Sequence, residues 1–359
     1  MEFEDDPIIA GYSSSICHES PRDWSSVDLF VQWRVNEERD GYRESFVGKQ
    51  ILDDGSNYAL EIRAQLFARA ARMMDSQHRL FLFAVDIYGS RARFYRFDPS
   101  SVVVSEPIYY RDDPQPLYEF FSRYSLLSPA RRGYDPTVLP ATEAEKTLFR
   151  ARIKEYFERV DAGELREHPD VQKLSDRVCK MQVNDMKGKA SWYLASKCST
   201  IPTHSSPCGR FTRGYIATPI PRCSVIPSRT SRKLPGASQS GRLYWLKDCW
   251  RPDSVESETT IYNKLKADDL PNLPDIICGG DVSVNKQTQE TFNDTLTSKR
   301  KSLTWMRLTK LIPHRIHHRI VAGILIPLDR IENAKQLLQV GRDILTSKSY
   351  MLVLLDTIC

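Results

Sequence analysis

Lysine, glutamate, histidine, cysteine and glycine stand at positions in this 359-residue chain where they could do chemistry. Lys247 closes the apolar run RLYWLK, and Glu258 lies in the segment ETTIYNKL that follows, with Glu256 as the competing acid. A lysine ending a strand and a glutamate on the next helix form an ion pair. On an open surface such a pair is worth about 0 to 1 kcal/mol; held rigidly in a cleft it presents a fixed cation. Gly209, Arg210, Arg213 and Gly214 make a turn in which small residues let backbone amides approach an anion closely, although glycines at this spacing often mark only a turn. His314, His317 and His318 could converge on a metal if they lay on a helix. Pro313 and the β-leaning neighbours favour a strand, in which His317 and His318 face opposite ways, so the expectation is solvated basic surface. The 8 cysteines are scattered without a C-x-x-C pair, which points to reduced thiols rather than to zinc or redox chemistry.

The elements that must position these residues are partly legible. From Tyr58 to Gln77, Ile62, Leu66, Ala70 and Met73 recur at helical spacing. HRLFLFAVDIYG, Gly89-Ser90 and RARFYRFD read as a hairpin, and Val102 to Ser105 as a third strand after the Asp98 to Ser101 turn. Pro116 to Leu127 and Thr142 to Val160 read as helices, the second opened by a Thr142/Glu145 capping box, with a break near Gly163. Six prolines between Pro202 and Pro235 prevent a long helix there, so about 196–241 reads as a basic Pro/Ser-rich insertion of loop or edge strand. Arg242 to Lys247 and His317 to Leu325 read as strands, and Glu256 to Leu265 and Ile331 to Ser347 as helices.

A hydrophobic share of 41% and a charged share of 27% are those of a globular protein, and the length suits two domains, 1–163 and 164–359. No apolar run approaches a membrane span, and the acidic start MEFEDDPII is unlike a secretory signal; the expectation is an intracellular protein of cytoplasm or nucleus, with no membrane partner. The net charge of +5 is concentrated in two acid-free stretches, Ser196 to Leu246 and Thr295 to Leu328, which could attract phosphates.

Four segments, in order, carry a family resemblance. They are RAQLFARAARMMDSQHRLFLFAVDIYGSRARFYRFDPSSVVVSEPI with RRGYDPT; CGRFTRGYIA; LYWLKDCWR with ETTIYNKL and LPDIICGGDV; and RIHHRIVAGILIPLDRI with LLQVGRDIL. Together they resemble the fungal-type protein kinase family, a divergent protein-kinase-like group, over most of the chain. The resemblance implies ATP and magnesium as cofactors and phosphoryl transfer to protein Ser/Thr. It implies Lys247 as the phosphate-contacting lysine and Glu258 as its partner. Gly209, Arg210, Arg213 and Gly214 would form the turn over the nucleotide, and Ile320 to Leu325 the strand leading to an adenine hinge. The insertion Thr218 to Gly241 separates that turn from Lys247 by more than a tight hairpin.

The expected fold is therefore α+β, an N-terminal α/β domain followed by an incomplete protein-kinase-like domain comprising the small lobe and the start of the large one. Neither His-Arg-Asp nor Asp-Phe-Gly occurs, and the sequence stops about where the catalytic loop would begin, so the chain as given is expected not to transfer phosphate. A pseudokinase-like remnant that binds nucleotide or a partner is the alternative, and a protein partner could cover the apolar side of Ile331 to Leu355. Nucleic-acid binding through the basic stretches is disfavoured because stacking aromatics are few. The family's N-terminal region also resembles restriction-type nucleases, with a Glu-x-Lys strand. Here WSSVDLFVQWRV places Gln32 and Arg34 at those positions, which with Asp28 alone implies a degenerate scaffold without a metal.

Overall fold

The computed structural model describes residues 8–12, 24–35, 40–44, 51–53, 56–163, 174–198, 212–220, 243–268, 273–291, 305–307, 314–323 and 338. The chain divides into two compact units, the first made of 1–136 and 291–314, the second of 137–290 and 315–359. The division thus falls after Pro136 rather than near Gly163. No described helix is long and apolar enough to cross a membrane.

The first unit begins with β1 (Ile8–Tyr12), β2 (Val27–Arg34) and the short pair β3 (Tyr42–Glu44) and β4 (Ile51–Asp53). Helix α1 (Asn57–Ser76) follows, started by Ser56, whose hydroxyl accepts the Ala59 amide at 3.2 Å. Its Ile62, Leu66, Ala70 and Met73 lie on one side and are buried against Phe30, Ala84, Tyr95, Phe97 and Val104 of the sheet, as their spacing requires. The sheet continues with β5 (Leu82–Tyr88), β6 (Arg91–Phe97) and β7 (Val102–Ser105). β2 and β5 run parallel with α1 between them in sequence, while β5 and β6 form the expected hairpin. Gly89 supplies its turn at φ 56°, a conformation glycine adopts without steric cost. Asp98 closes the next turn by accepting the amides of Ser100 and Ser101 at 2.9 and 2.8 Å. On the opposite face of the sheet, α2 (Gln115–Ser125) packs Leu117 and Phe120 against Val31, Val85 and Phe94.

The second unit opens with β8 (Val138–Pro140) and α3 (Glu143–Asp161), where Thr142 and Glu145 form the capping box in both directions. It continues through β9 (Leu174–Asn184), β10 (Ala190–Cys198), β11 (Thr212–Pro219), β12 (Tyr244–Pro252), α4 (Glu258–Ala267), β13 (Ile276–Asp281), β14 (Ser283–Val284) and β15 (Gln287–Thr288). The chain then returns to the first unit, where β16 (Trp305–Arg307) pairs with β7. It comes back as β17 (Arg315–Ala322), which lies between β12 and β13. The resulting sheet is antiparallel throughout, in the order β13-β17-β12-β11-β10-β9-β8.

The sheet curls until β13, one end of it, approaches β9, the strand next to the other end. A Cβ on Gly280 of β13 would stand 2.8 Å from the Asp185 carbonyl oxygen just beyond β9, and Arg319 of β17 donates to the Gln182 carbonyl at 2.8 Å. Enclosed within are Met181, Val183, Tyr193, Ala195, Tyr215, Ala217, Tyr244, Leu246 and Val321. α3 covers the outer face, with Phe149 on Val178 and Leu194 and Tyr156 on Ile216 and Leu243.

Two readings of the sequence are corrected here. Part of the supposed insertion is β11, an interior strand buried on both faces. β9 and β10, not anticipated at all, form a long hairpin around Gly188 at φ 77°. Of the helix expected over Ile331 to Ser347 only Leu338 is described, and it is helical. The rest, with the apolar side up to Leu355, lies outside the described residues.

Candidate functional site

Alternation along β12 sends Tyr244, Leu246, Asp248 and Trp250 into the sheet's interior and Trp245, Lys247 and Cys249 outward. α4 begins beside the outward face, capped by Ser257, whose hydroxyl accepts the Thr260 amide at 3.2 Å. Glu258 therefore sits in its first turn, and its Oε2 accepts from Lys247 Nζ at 2.7 Å. Glu256, the competing acid, instead holds Lys264 at 2.6 Å. Thr259 docks the helix on β17 by a hydrogen bond to His318 Nε2 at 3.0 Å.

Burial disfavours the Lys247 ammonium, while Cys249 and Glu258 favour it, and the balance leaves its pKa above the ordinary lysine value. Burial pushes the neighbouring Cys249 thiol up to about 12, too high for a nucleophile. About a third of each ion-pair side chain remains exposed, 33% for Lys247 and 29% for Glu258, so the pair contributes little to stability and leaves the ammonium reachable. Directly across from Lys247 in the ladder stands Gly214, which places no side chain beside the cation.

Gly214 is thus a strand residue rather than part of a turn, and Arg213 pairs across from Asp248 and is buried. Gly209 and Arg210 lie outside the described residues. The separation by Thr218 to Gly241 does not keep the glycine from the lysine, because β11 and β12 pair directly from Thr212 to Ala217.

Sequence reasoning missed the acids that organise the strands around Lys247. Inside the sheet, Asp248 accepts from Arg319 Nε at 2.9 Å and bonds His317 Nε2, while His317 Nδ1 meets Gln289 Oε1 at 2.6 Å and stacks on Trp250 at 4.5 Å. Burial would raise the Asp248 carboxyl, yet Arg319, His317 and Arg213 hold it well below the usual carboxylate range. On the outer side His318 Nδ1 bonds Asp281, which also takes a bidentate Arg251 at 3.1 and 2.7 Å. Burial works against this carboxylate too, and the His318 and Arg251 bonds bring it down to about 2. The solvated surface expected for the histidines is therefore wrong for two of them. His317 and His318 are buried, each pointing at a different acid. Strand alternation fixed their opposite directions; what lay at the end of each direction was set by β12 and β13, remote in sequence.

Magnesium finds no ready ligands in this neighbourhood. Asp248 and Asp281 are committed to guanidinium and imidazole groups, and among the described residues no group of three His, Cys, Asp or Glu side chains is arranged to hold a metal. An anion fits the ammonium better than a base fits its surroundings. Ile216 and Trp245 share the face of Gly214 and Lys247, and both are packed with Tyr156, Leu243, Phe157 and Val160 of or near α3. A crevice of about 740 Å³ lies elsewhere, between the Asp185 to Gly188 turn, Ser257 and the Asn285-Lys286 turn, and Lys247 does not line it.

In the first unit, the three residues set against the nuclease pattern are all occupied. Asp28 is held by Arg79 at 3.2 Å and by Arg132. Gln32 donates to Gln65 at 3.3 Å, and Arg34 pairs with Asp86. Complete burial, opposed by Arg34, pushes the Asp86 carboxyl up to about 7.

Compared with known proteins, residues 27–352 match the sequence model described as Fungal protein kinase. No curated protein and no solved structure matches the chain.

Proposed function

The chain belongs to the fungal protein kinase family, and on that premise we propose that its second unit is a nucleotide-binding small lobe in which Lys247 contacts the phosphates of ATP. The observation that carries this is the 2.7 Å pair of Lys247 with Glu258, on a strand and the helix after it, facing Gly214 across the ladder. Kinases need a strand lysine on the phosphates and a helix glutamate that fixes it; of the glycine-bearing turn they also use, Gly209 and Arg210 lie outside the described residues and Gly214 is a strand residue. ATP, when bound, supplies a polyanion and an activated γ-phosphoryl group. Glu258 holds the ammonium in one position, and Gly214 adds no side chain of its own beside it.

Binding is the function assigned to these residues, not transfer. Transfer would need one aspartate to position the attacking hydroxyl and another to hold magnesium, and the 359 residues contain neither His-Arg-Asp nor Asp-Phe-Gly. Thermal unfolding with and without ATP tests the reading. At a hundred times its Kd the nucleotide adds about 2.7 kcal/mol, roughly 5 to 10 °C for a unit of this size. The shift should vanish in Lys247→Ala. An equal shift in that variant would refute the role of the lysine, and Lys247-dependent transfer of labelled phosphate would refute the restriction to binding.

A further inference from the structure

We infer that helix α3 is a built-in competitor for the nucleotide's base, so that ATP is admitted only when α3 leaves the lysine face of the sheet. The inference rests on the nucleotide-binding reading above. Residues paired across antiparallel strands share a face, which puts Gly214, Ile216, Trp245 and Lys247 on one surface. A base joined to phosphates at Lys247 can extend along that surface in two directions. Toward Cys249 it meets His318, already bonded to Thr259 of α4, the helix that tethers the lysine. Toward Trp245 it meets an apolar surface suited to an aromatic ring, and that surface is taken. Tyr156 is buried there on Ile216 and Leu243, with Phe157, Val160 and Trp245 around it.

The helix is fastened unevenly. Its first half is anchored by Phe149 on Val178 and Leu194 and by Glu145 on Lys180 at 3.2 Å. In its second half Tyr156 is the one buried side chain, with Ile153, Phe157 and Val160 partly buried beside it. The Tyr156 ring is thus the central contact of the half nearest the lysine, and closure lowers the apparent affinity by the fraction of molecules that are open.

ATP binding by calorimetry, with amide hydrogen exchange on the wild type, tests the inference. Tyr156→Ala should bind ATP at least tenfold more tightly than the wild type, and Tyr156→Phe, which keeps the ring, should not differ from it. Tyr156→Ala combined with Lys247→Ala should lose the gain, which separates freed binding from mere loosening. Saturating ATP should also speed exchange across 153–161 of the wild type while leaving α1 unchanged. Equal affinities for wild type and Tyr156→Ala, with α3 exchange unmoved, would overturn the competition and leave the nucleotide reading intact. No binding by either protein, both shown folded by their melts, would overturn the nucleotide reading and the competition with it. If Tyr156→Ala does not fold, the wild-type exchange decides: faster supports the competition, unchanged overturns it.

Discussion

Replacing Arg319 by methionine tests how the second sheet tolerates charge in its interior. The guanidinium is fully buried, donates to Asp248 at 2.9 Å, and reaches Thr137 Oγ1 and the Gln182 carbonyl at 2.8 Å each. Removing one partner of a buried ion pair costs about 3 to 5 kcal/mol, since the other charge stays desolvated. His317 and Arg213 remain near Asp248 and soften the loss, which places Arg319→Met toward the lower figure. At roughly 2 to 4 °C per kcal/mol for a unit of this size, the melting temperature at pH 7 should fall by about 10 °C. Asp248→Asn and the double variant complete a cycle whose coupling isolates the pair, while Lys154→Ala, which loses only an exposed pair with Glu158, should not move the melt. The pH dependence has a fixed sign. Asp248 has a folded-state pKa depressed below its unfolded value, so its contribution is present above about pH 4 and is lost as pH falls through the folded pKa. The gap between wild type and Asp248→Asn should accordingly close in acid. A fall of less than about 2 °C for Arg319→Met would mean that the network is not holding the sheet, and the reasoning would fail.

The remaining predictions concern single groups. Asp86 has a folded pKa of about 7 against an unfolded one of about 3.9, so the native state retains a proton that the unfolded chain gives up. Wild-type stability should therefore decline from about pH 4 to 7, by at most about 4 kcal/mol, and urea melts of Asp86→Asn should lack that decline. Gly133→Ala should cost at least about 2 kcal/mol, because φ is 98° and a Cβ would stand 1.9 Å from the Phe81 carbonyl oxygen. Gly163→Ala, at φ 75° with nothing within 4 Å, should lose only the left-handed penalty of about 1 kcal/mol. Glu258→Gln should abolish the ATP-dependent thermal shift, whereas Glu256→Gln, which frees only Lys264, should retain it.

What the sequence disclosed was local. The helical spacing of Ile62 to Met73, the Gly89 turn, the Asp98 turn and the Thr142/Glu145 box each involve residues a few positions apart, and each stands as read. Lys247 and Glu258 belong with them, one strand and one turn of helix away from each other. What escaped was remote. β10 shows no clean alternation because both its faces are buried, one inside the sheet and the other beneath α3, whereas β9 does alternate, Cys179, Met181 and Val183 with Lys180, Gln182 and Asn184, a signal that was there to be read. β11 is hidden in a stretch whose prolines dominate its composition, although its own Thr212 to Thr218 contains none. His317 and His318 find their acids on strands far away in sequence, which no spacing rule could supply.

The return of the chain from β15 to β16 and then to β17 binds the histories of the two units together. The outermost strand beside β7 is contributed by Trp305–Arg307, and the strand beside Lys247 by Arg315–Ala322, so both sheets wait for nearly the same stretch of polypeptide to leave the ribosome. The first sheet is complete once Arg307 has emerged, and the second only fifteen residues later, at Ala322. A fragment ending after Glu290 would lack both strands, leaving β7 without its outer neighbour and β12 parted from β13.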